Sequence, residues 1–254
     1  MTLTATQFLI VCPLALLAGF VDSIAGGGGM ISLPAYYLAG LPPALAAGTN
    51  KLSAMMGTAL ATATYARAGK VDWRVGIPGV VGALAASALG ALLMVGLPEN
   101  FVRILVLCCI PVAALFTLRR RKPAETPMRQ LTAKATGWIA LTVGFGIGFY
   151  DGLVGPGTGT FLILLFVQIF SMNEVLASGT AKVVNLASNL AALISLLCTG
   201  HVLVLLGIPV GLCAMLGAAL GSRMTLKHGA GLVRGMMLAV LALLLAKMLV
   251  DMVG

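Results

Sequence analysis

Two stretches decide how this chain folds: Gly19-Phe20-Val21-Asp22-Ser23-Ile24-Ala25-Gly26-Gly27-Gly28-Gly29-Met30 and Gly148-Phe149-Tyr150-Asp151-Gly152-Leu153-Val154-Gly155-Pro156-Gly157-Thr158-Gly159. Each ends an apolar run (Phe8 to Ala25, Ala135 to Val154), passes an aspartate and meets a glycine cluster. Each is then followed by a short apolar piece, Met30 to Leu41 or Gly159 to Phe170. A piece of that length makes a helix of only about 18 Å, whereas a full crossing of a bilayer takes about 20 residues. Each stretch therefore reads as a broken or re-entrant helix. Glycine lets the backbone turn, and Gly26, Gly27, Gly28 and Gly29 would each cost about 1 kcal/mol in an unbroken helix. A break explains them better than close packing of small residues does.

Outward from these breaks the chain is built for lipid. Of its 254 residues 60% are hydrophobic and 9% charged, and its mean hydropathy is +1.07. A soluble fold of this length needs a far larger polar coat. Six stretches are long and apolar enough to span: Ala44 to Ala66, Val75 to Gly96, Phe101 to Leu118, Val175 to Cys198, Val202 to Ser222 and Leu232 to Val250. Five cysteines (Cys12, Cys108, Cys109, Cys198, Cys213) lie in apolar spans with no metal-ligand spacing, so they read as reduced packing residues. The N-terminus lacks the basic segment of a secretory signal and reads as mature structure.

The net charge of +9 is topological rather than a nucleic-acid footprint. Three stretches hold twelve of the sixteen Lys and Arg: Arg67, Lys70 and Arg74; Arg119 to Lys122, Arg129 and Lys134; and Arg223, Lys227 and Arg234. Basic residues collect on the cytoplasmic side, which puts the N- and C-termini and the turns near Pro98 and Gly200 outside. The basic segment 119–134, with Pro123 and Pro127, reads as a cytoplasmic linker between a first repeat, 1–118, and a second, 135–254.

The halves share a register. At one constant offset, Gly19-Phe20-Val21-Asp22 lies over Gly148-Phe149-Tyr150-Asp151. At a second, two positions longer, Gly48-Thr49-Asn50-Lys51 lies over Gly179-Thr180-Ala181-Lys182 and Gly76-Ile77-Pro78 over Gly207-Ile208-Pro209. The Gly69 turn carries Arg67, Lys70 and Arg74, yet its counterpart at Gly200 carries only His201, which puts equivalent turns on opposite sides. The expected architecture is all-α and integral to the membrane, with two inverted-topology repeats. Each has three full transmembrane helices and one broken or re-entrant helix, the arrangement of secondary transporters whose site lies where the breaks meet.

A helix starting at such a break leaves its first amide hydrogens unpaired and carries a partial positive charge, so an anion is their natural partner. Four ionisable residues sit well inside the spans or breaks at matching positions in the two halves: Asp22, Lys51, Asp151 and Lys182. If all four are ionised their charges cancel; a protonated Asp22 or Asp151 makes the pocket positive, which makes proton coupling a concrete expectation. The competing readings are two structural Asp–Lys pairs, or lysines that snorkel. Thr49, Asn50, Ser53, Asn185, Ser188 and Asn189 share the lysine helices and offer neutral hydrogen bonds, while Gly157, Thr158 and Thr160 line the second break.

Gly19 to Pro34 with Gly48-Thr49-Asn50-Lys51, repeated as Gly148 to Thr160 with Gly179-Thr180-Ala181-Lys182, resemble the TauE/SafE family of sulfite and organosulfonate exporters over about Phe8 to Val250. The resemblance implies a bacterial inner-membrane permease that exports a small sulfur-containing anion, with the glycine breaks, Thr49, Lys51, Thr180 and Lys182 near the pathway. Asp22-Ser23-Ile24-Ala25 and Gly155-Pro156-Gly157-Thr158-Gly159-Thr160 resemble a branch of the family whose substrates are poorly assigned. Spacing alone leaves a small carboxylate, or an uncoupled anion channel, open as alternatives. No cofactor or metal is expected: neither cluster continues into the Lys-Ser/Thr of a nucleotide loop, and there is no HExxH or histidine cluster for a membrane enzyme. The expected partners are the bilayer and a small anion, not nucleic acid, and the Ala- and Gly-rich faces would accommodate a homodimer.

Overall fold

A computed structural model describes residues 3–98, 101, 132–229, 231–233 and 235–236. These residues form eight helices and no strand. The predicted spans Phe101 to Leu118 and Leu232 to Val250, and the predicted linker up to position 131, lie essentially outside them.

Helix α1 (Ala5–Ala25) begins with a capping box in which Thr4 and Gln7 satisfy one another's backbone amides. It stops at Gly26, which adopts the left-handed conformation (φ 81°). Helix α2 (Gly29–Leu38) turns back, and the Gln7 amide donates to the Ala39 carbonyl at 3.1 Å, so the two outer ends of this hairpin lie together. Helix α3 (Pro43–Arg67) starts on a proline, whose missing N–H is harmless in the first turn. Helix α4 (Trp73–Val95) is capped by the Asp72 carboxylate. In the second half, α5 (Ala133–Leu153) is capped by Thr132, and α6 (Thr158–Phe170) follows the break at 154–157. Helix α7 (Glu174–Cys198) is capped by Asn173, and α8 (Val204–His228) ends the series.

Breaks and helices thus stand near where the apolar pattern puts them, with α8 running on past Ser222 to His228 and α2 stopping at Leu38 rather than Leu41. Helix α3, over the predicted span Ala44 to Ala66, is long enough to cross but less apolar than the other long spans. α1, α4, α7 and α8 are each long and apolar enough to cross a membrane. The first limb of the N-terminal broken element is therefore full length: its 21 residues reach about 31 Å. Leu9, Ile77, Leu205, Leu216 and many others leave an apolar outer surface, as lipid rather than water requires.

The halves interlock. α1 packs along α8 of the other half, and α5 along α4. The same contact occurs twice: a β-carbon at Gly19 would collide with the Ala214 backbone, and one at Gly148 would lie 2.7 Å from the Ala83 Cα. Gly19 and Gly148 are equivalent at the first offset of the sequence repeat, and Ala83 and Ala214 at the second. The turns are fastened in the same reciprocal way. The Asp72 amide donates to Thr180 Oγ1 (2.9 Å), and the Leu203 amide to Thr49 Oγ1 (3.0 Å). Both threonines also donate to the carbonyl one helical turn back, a local bond open to hydroxyls in helices.

Candidate functional site

The two breaks meet in the middle of this assembly. The Gly159 α-carbon faces Gly26 so closely that a side chain on either would strike the other's backbone. The Thr160 hydroxyl donates to the Ala25 carbonyl (2.8 Å), and that of Ser178 to the Ile24 carbonyl (2.9 Å), tying the end of α1 to α6 and α7. Glycine at the crossing lets two backbones approach closely enough to share one site.

Around the crossing lie two ion pairs, each joining the halves. Lys51 Nζ of α3 is 2.7 Å from Asp151 Oδ2 of α5; Lys182 Nζ of α7 is 2.6 Å from Asp22 Oδ2 of α1. Each lysine helix therefore reaches across to the broken element of the opposite half. Charges removed from water must be paired, and Lys182 is wholly buried, as Lys51 and Asp151 nearly are.

The aspartates also answer the need of the helix starts. Asp22 Oδ1 accepts from the Gly28 amide at 3.3 Å, and Asp151 Oδ1 accepts from the Thr158 hydroxyl at 2.7 Å. Each break thus supplies a carboxylate of its own beside the N-terminus of the short helix. That is the position where the sequence asked for an anion.

Between the breaks and the lysine helices lies a cavity of about 50 Å³. One water needs about 10–15 Å³ of such space, so it admits several waters or a small oxyanion. Of the residues predicted for the site, Asp22, Gly26, Gly28, Gly29, Asn50, Lys51, Asp151, Thr158 and Asn185 line it, together with Gly155, Gly159 and Asn189. Gly27, Thr49, Gly157, Thr160, Thr180 and Lys182 do not. Thr49, Thr160 and Thr180 hold backbone carbonyls or turns, and Lys182 reaches the cavity only through Asp22.

Lys51 uses two of its three N–H donors, on Asp151 and on Asn189 Oδ1 (3.2 Å). Asn189 donates in turn to Asn185 at 3.4 Å. Asn50 also borders the cavity, and its Oδ1 is buried without a hydrogen-bond partner. Ser32, Gly57 and Thr58 line the cavity too, although sequence reasoning does not single them out as site residues. A signal exists for two of them, because Lys51, Ala54, Gly57 and Thr58 recur at three- and four-residue steps on one helix face.

A helical shell facing lipid around a small, polar, internally charged cavity defines a membrane transport protein. The chain belongs to the sulfite exporter TauE/SafE family, whose pattern matches residues 11–248. A protein of Sinorhizobium sp, described as "Probable membrane transporter protein ORF9", is 39% identical over 93% of this chain and 90% of its own length. "Probable membrane transporter protein YfcA" of Escherichia coli (strain K12) is 36% identical over 94% of this chain and 88% of its own. A "Probable membrane transporter protein" of Haemophilus influenzae is 35% identical over 92% and 91%. No solved structure matches the chain.

Proposed function

We propose that the protein is a secondary transporter that exports a small sulfur-containing anion, such as sulfite or an organosulfonate, across the bacterial inner membrane. The observation that carries this reading is the cavity between the two glycine breaks, bordered by Lys51, Asn50, Asn185 and Thr158. The remaining Lys51 N–H and the side-chain amide N–H groups are donors to which an oxyanion hydrogen-bonds. The cavity's small volume favours a compact oxyanion, and the family's name supports the sulfur chemistry.

The repeats 1–118 and 135–254 are, on this reading, inverted in the membrane and joined by the basic linker 119–134. The reciprocal contacts of α1 with α8 and α5 with α4 support that arrangement. Proton movement accompanies the anion through one or both of Asp22 and Asp151, because four ionised side chains sum to zero and give an anion little to gain. The lining residues act as donors and counter-ions rather than as an enzyme's nucleophile and base.

The test is a proteoliposome loaded with a pH dye and challenged with sulfite, thiosulfate, sulfonates, carboxylates and chloride. A proton response to sulfite or a sulfonate, lost in Asp22→Asn or Asp151→Asn, is the expected result. Tracer anion that crosses with no proton response would replace the coupled transporter by a channel or uniporter. A response to carboxylates alone would move the substrate class.

A further inference from the structure

The duplication makes the two aspartates look equivalent, and their surroundings are not. Asp151 is enclosed: Oδ1 takes the Thr158 hydroxyl, and Oδ2 takes both Lys51 and the Ser188 hydroxyl, with 3% of the side chain exposed. Both aspartates border the cavity, but the Asp22 side chain is 19% exposed. It has Lys182 and one long amide bond from Gly28. The difference lies in the sequence, because the residue that corresponds to Ser188 in the first repeat is Gly57, which has no hydroxyl to offer Asp22. Ser32, Ser53 and Gly57 border the cavity, whereas their counterparts Phe161, Val184 and Ser188 are larger. The cavity consequently opens beside Asp22.

We infer that the two pairs have divided their labour. Asp151–Lys51 is a fixed pair that holds the Lys51 ammonium at the anion, and Asp22 is the carboxyl that exchanges its proton with the cavity. Ser188 is the positioning residue that holds the Asp151 carboxylate against Lys51. This rests on the anion site proposed above. With Asp22 protonated, Lys182 stays charged without its counter-ion, and an arriving monoanion restores neutrality; when the anion leaves, Asp22 gives up the proton and closes on Lys182 again. One proton then accompanies one monoanion.

The groups facing Asp22 permit this reading. Lys182 comes from α7. From α3 come the Tyr65 phenol, which donates to the Ser23 carbonyl (2.8 Å), and Lys51, already held by Asp151. α2 and α6 carry no charged residue. The charged residues of α8, Arg223, Lys227 and His228, lie beyond Gly221, where that helix packs on Phe20 and Ser23.

The experiment treats the full-length protein in proteoliposomes with N,N′-dicyclohexylcarbodiimide, which attacks protonated carboxyls in apolar surroundings, and measures adducts by peptide mass spectrometry without added anion. Asp22 should carry at least about ten times the adduct of Asp151, the ratio that one hydrogen bond to a charged group is worth. Ser188→Ala should raise the Asp151 adduct severalfold and leave that of Asp22 unchanged. Equal labelling, stronger labelling of Asp151 or no adduct on Asp22 would overturn the division. An unchanged Asp151 adduct in Ser188→Ala would remove Ser188 from it. A protein that labels as expected yet moves no sulfite, thiosulfate or sulfonate would instead disprove the anion reading.

Discussion

Lys51 and Asp151, far apart in the chain, form a 2.7 Å ion pair across the boundary between the halves, and Lys182 with Asp22 repeats it in the reverse direction. Each half therefore lends its lysine to the other's broken helix, and neither half is electrostatically complete by itself. Removing one member of a buried pair costs roughly 3–5 kcal/mol, because the survivor keeps its charge in a medium that cannot solvate it. Lys51→Met should accordingly lower the melting temperature in detergent sharply, and Lys51→Met with Asp151→Leu should recover much of the loss. An unchanged melting temperature in Lys51→Met would mean that the pair is open to water.

Asn50 is expected to behave in the opposite way. Its buried Oδ1 has no partner, so the fold gains nothing from that oxygen and bears the cost of desolvating it. Asn50→Leu should leave thermal stability unchanged or slightly raised while reducing anion transport by about tenfold, because the side-chain N–H donors of a cavity-lining residue are lost. Stability lost together with transport would reassign Asn50 to the scaffold.

Gly26 and Gly40 share a positive φ, 81° and 80°, yet differ in what surrounds them. Nothing lies within 4 Å of a β-carbon at Gly40, so Gly40→Ala carries only the left-handed penalty of about 1–2 kcal/mol. At Gly26 the same methyl would enter the Gly159–Thr160 backbone, and Gly26→Ala should fail to give monodisperse protein on size-exclusion chromatography. Equal behaviour of the two variants would show that the breaks are not in contact.

Thr49 and Thr180 separate fold from transport. Each accepts the amide of a turn in the opposite half, from Leu203 and Asp72. Thr49→Val and Thr180→Val should each cost about 1–3 kcal/mol through the orphaned amide, with the anion KM unmoved. A raised KM at normal stability would bring these threonines into the binding site.

The proposed inversion has a direct readout in Lys70→Cys and His201→Cys, equivalent positions of the two turns. An impermeant maleimide added to intact cells should label position 201 and spare position 70. Labelling of both from one side would leave the halves parallel.

The sequence by itself determined the helices and their interruptions. Lipid demands long apolar runs, and successive glycines cannot continue a helix cheaply, so α1, the glycine break and α2 were legible to within a turn of helix, as were α5 and α6. The four charged positions were legible too, because a charge inside an apolar run stands out, and their matching segments recur at constant offsets. Pairing was not. Helical periodicity says which face a side chain occupies but not which helix will oppose it, and Lys51 was as compatible with Asp22 of its own half as with Asp151. Only the interlocked packing of α1 on α8 and α5 on α4 sets each lysine against the other half's aspartate. Only that packing turns Thr49 and Thr180 toward loops and leaves Asp22 more exposed at the cavity than Asp151, which Ser188 encloses. These outcomes depend on contacts between residues remote from one another in the chain, whose geometry is fixed by how closely glycine and alanine let the helices approach.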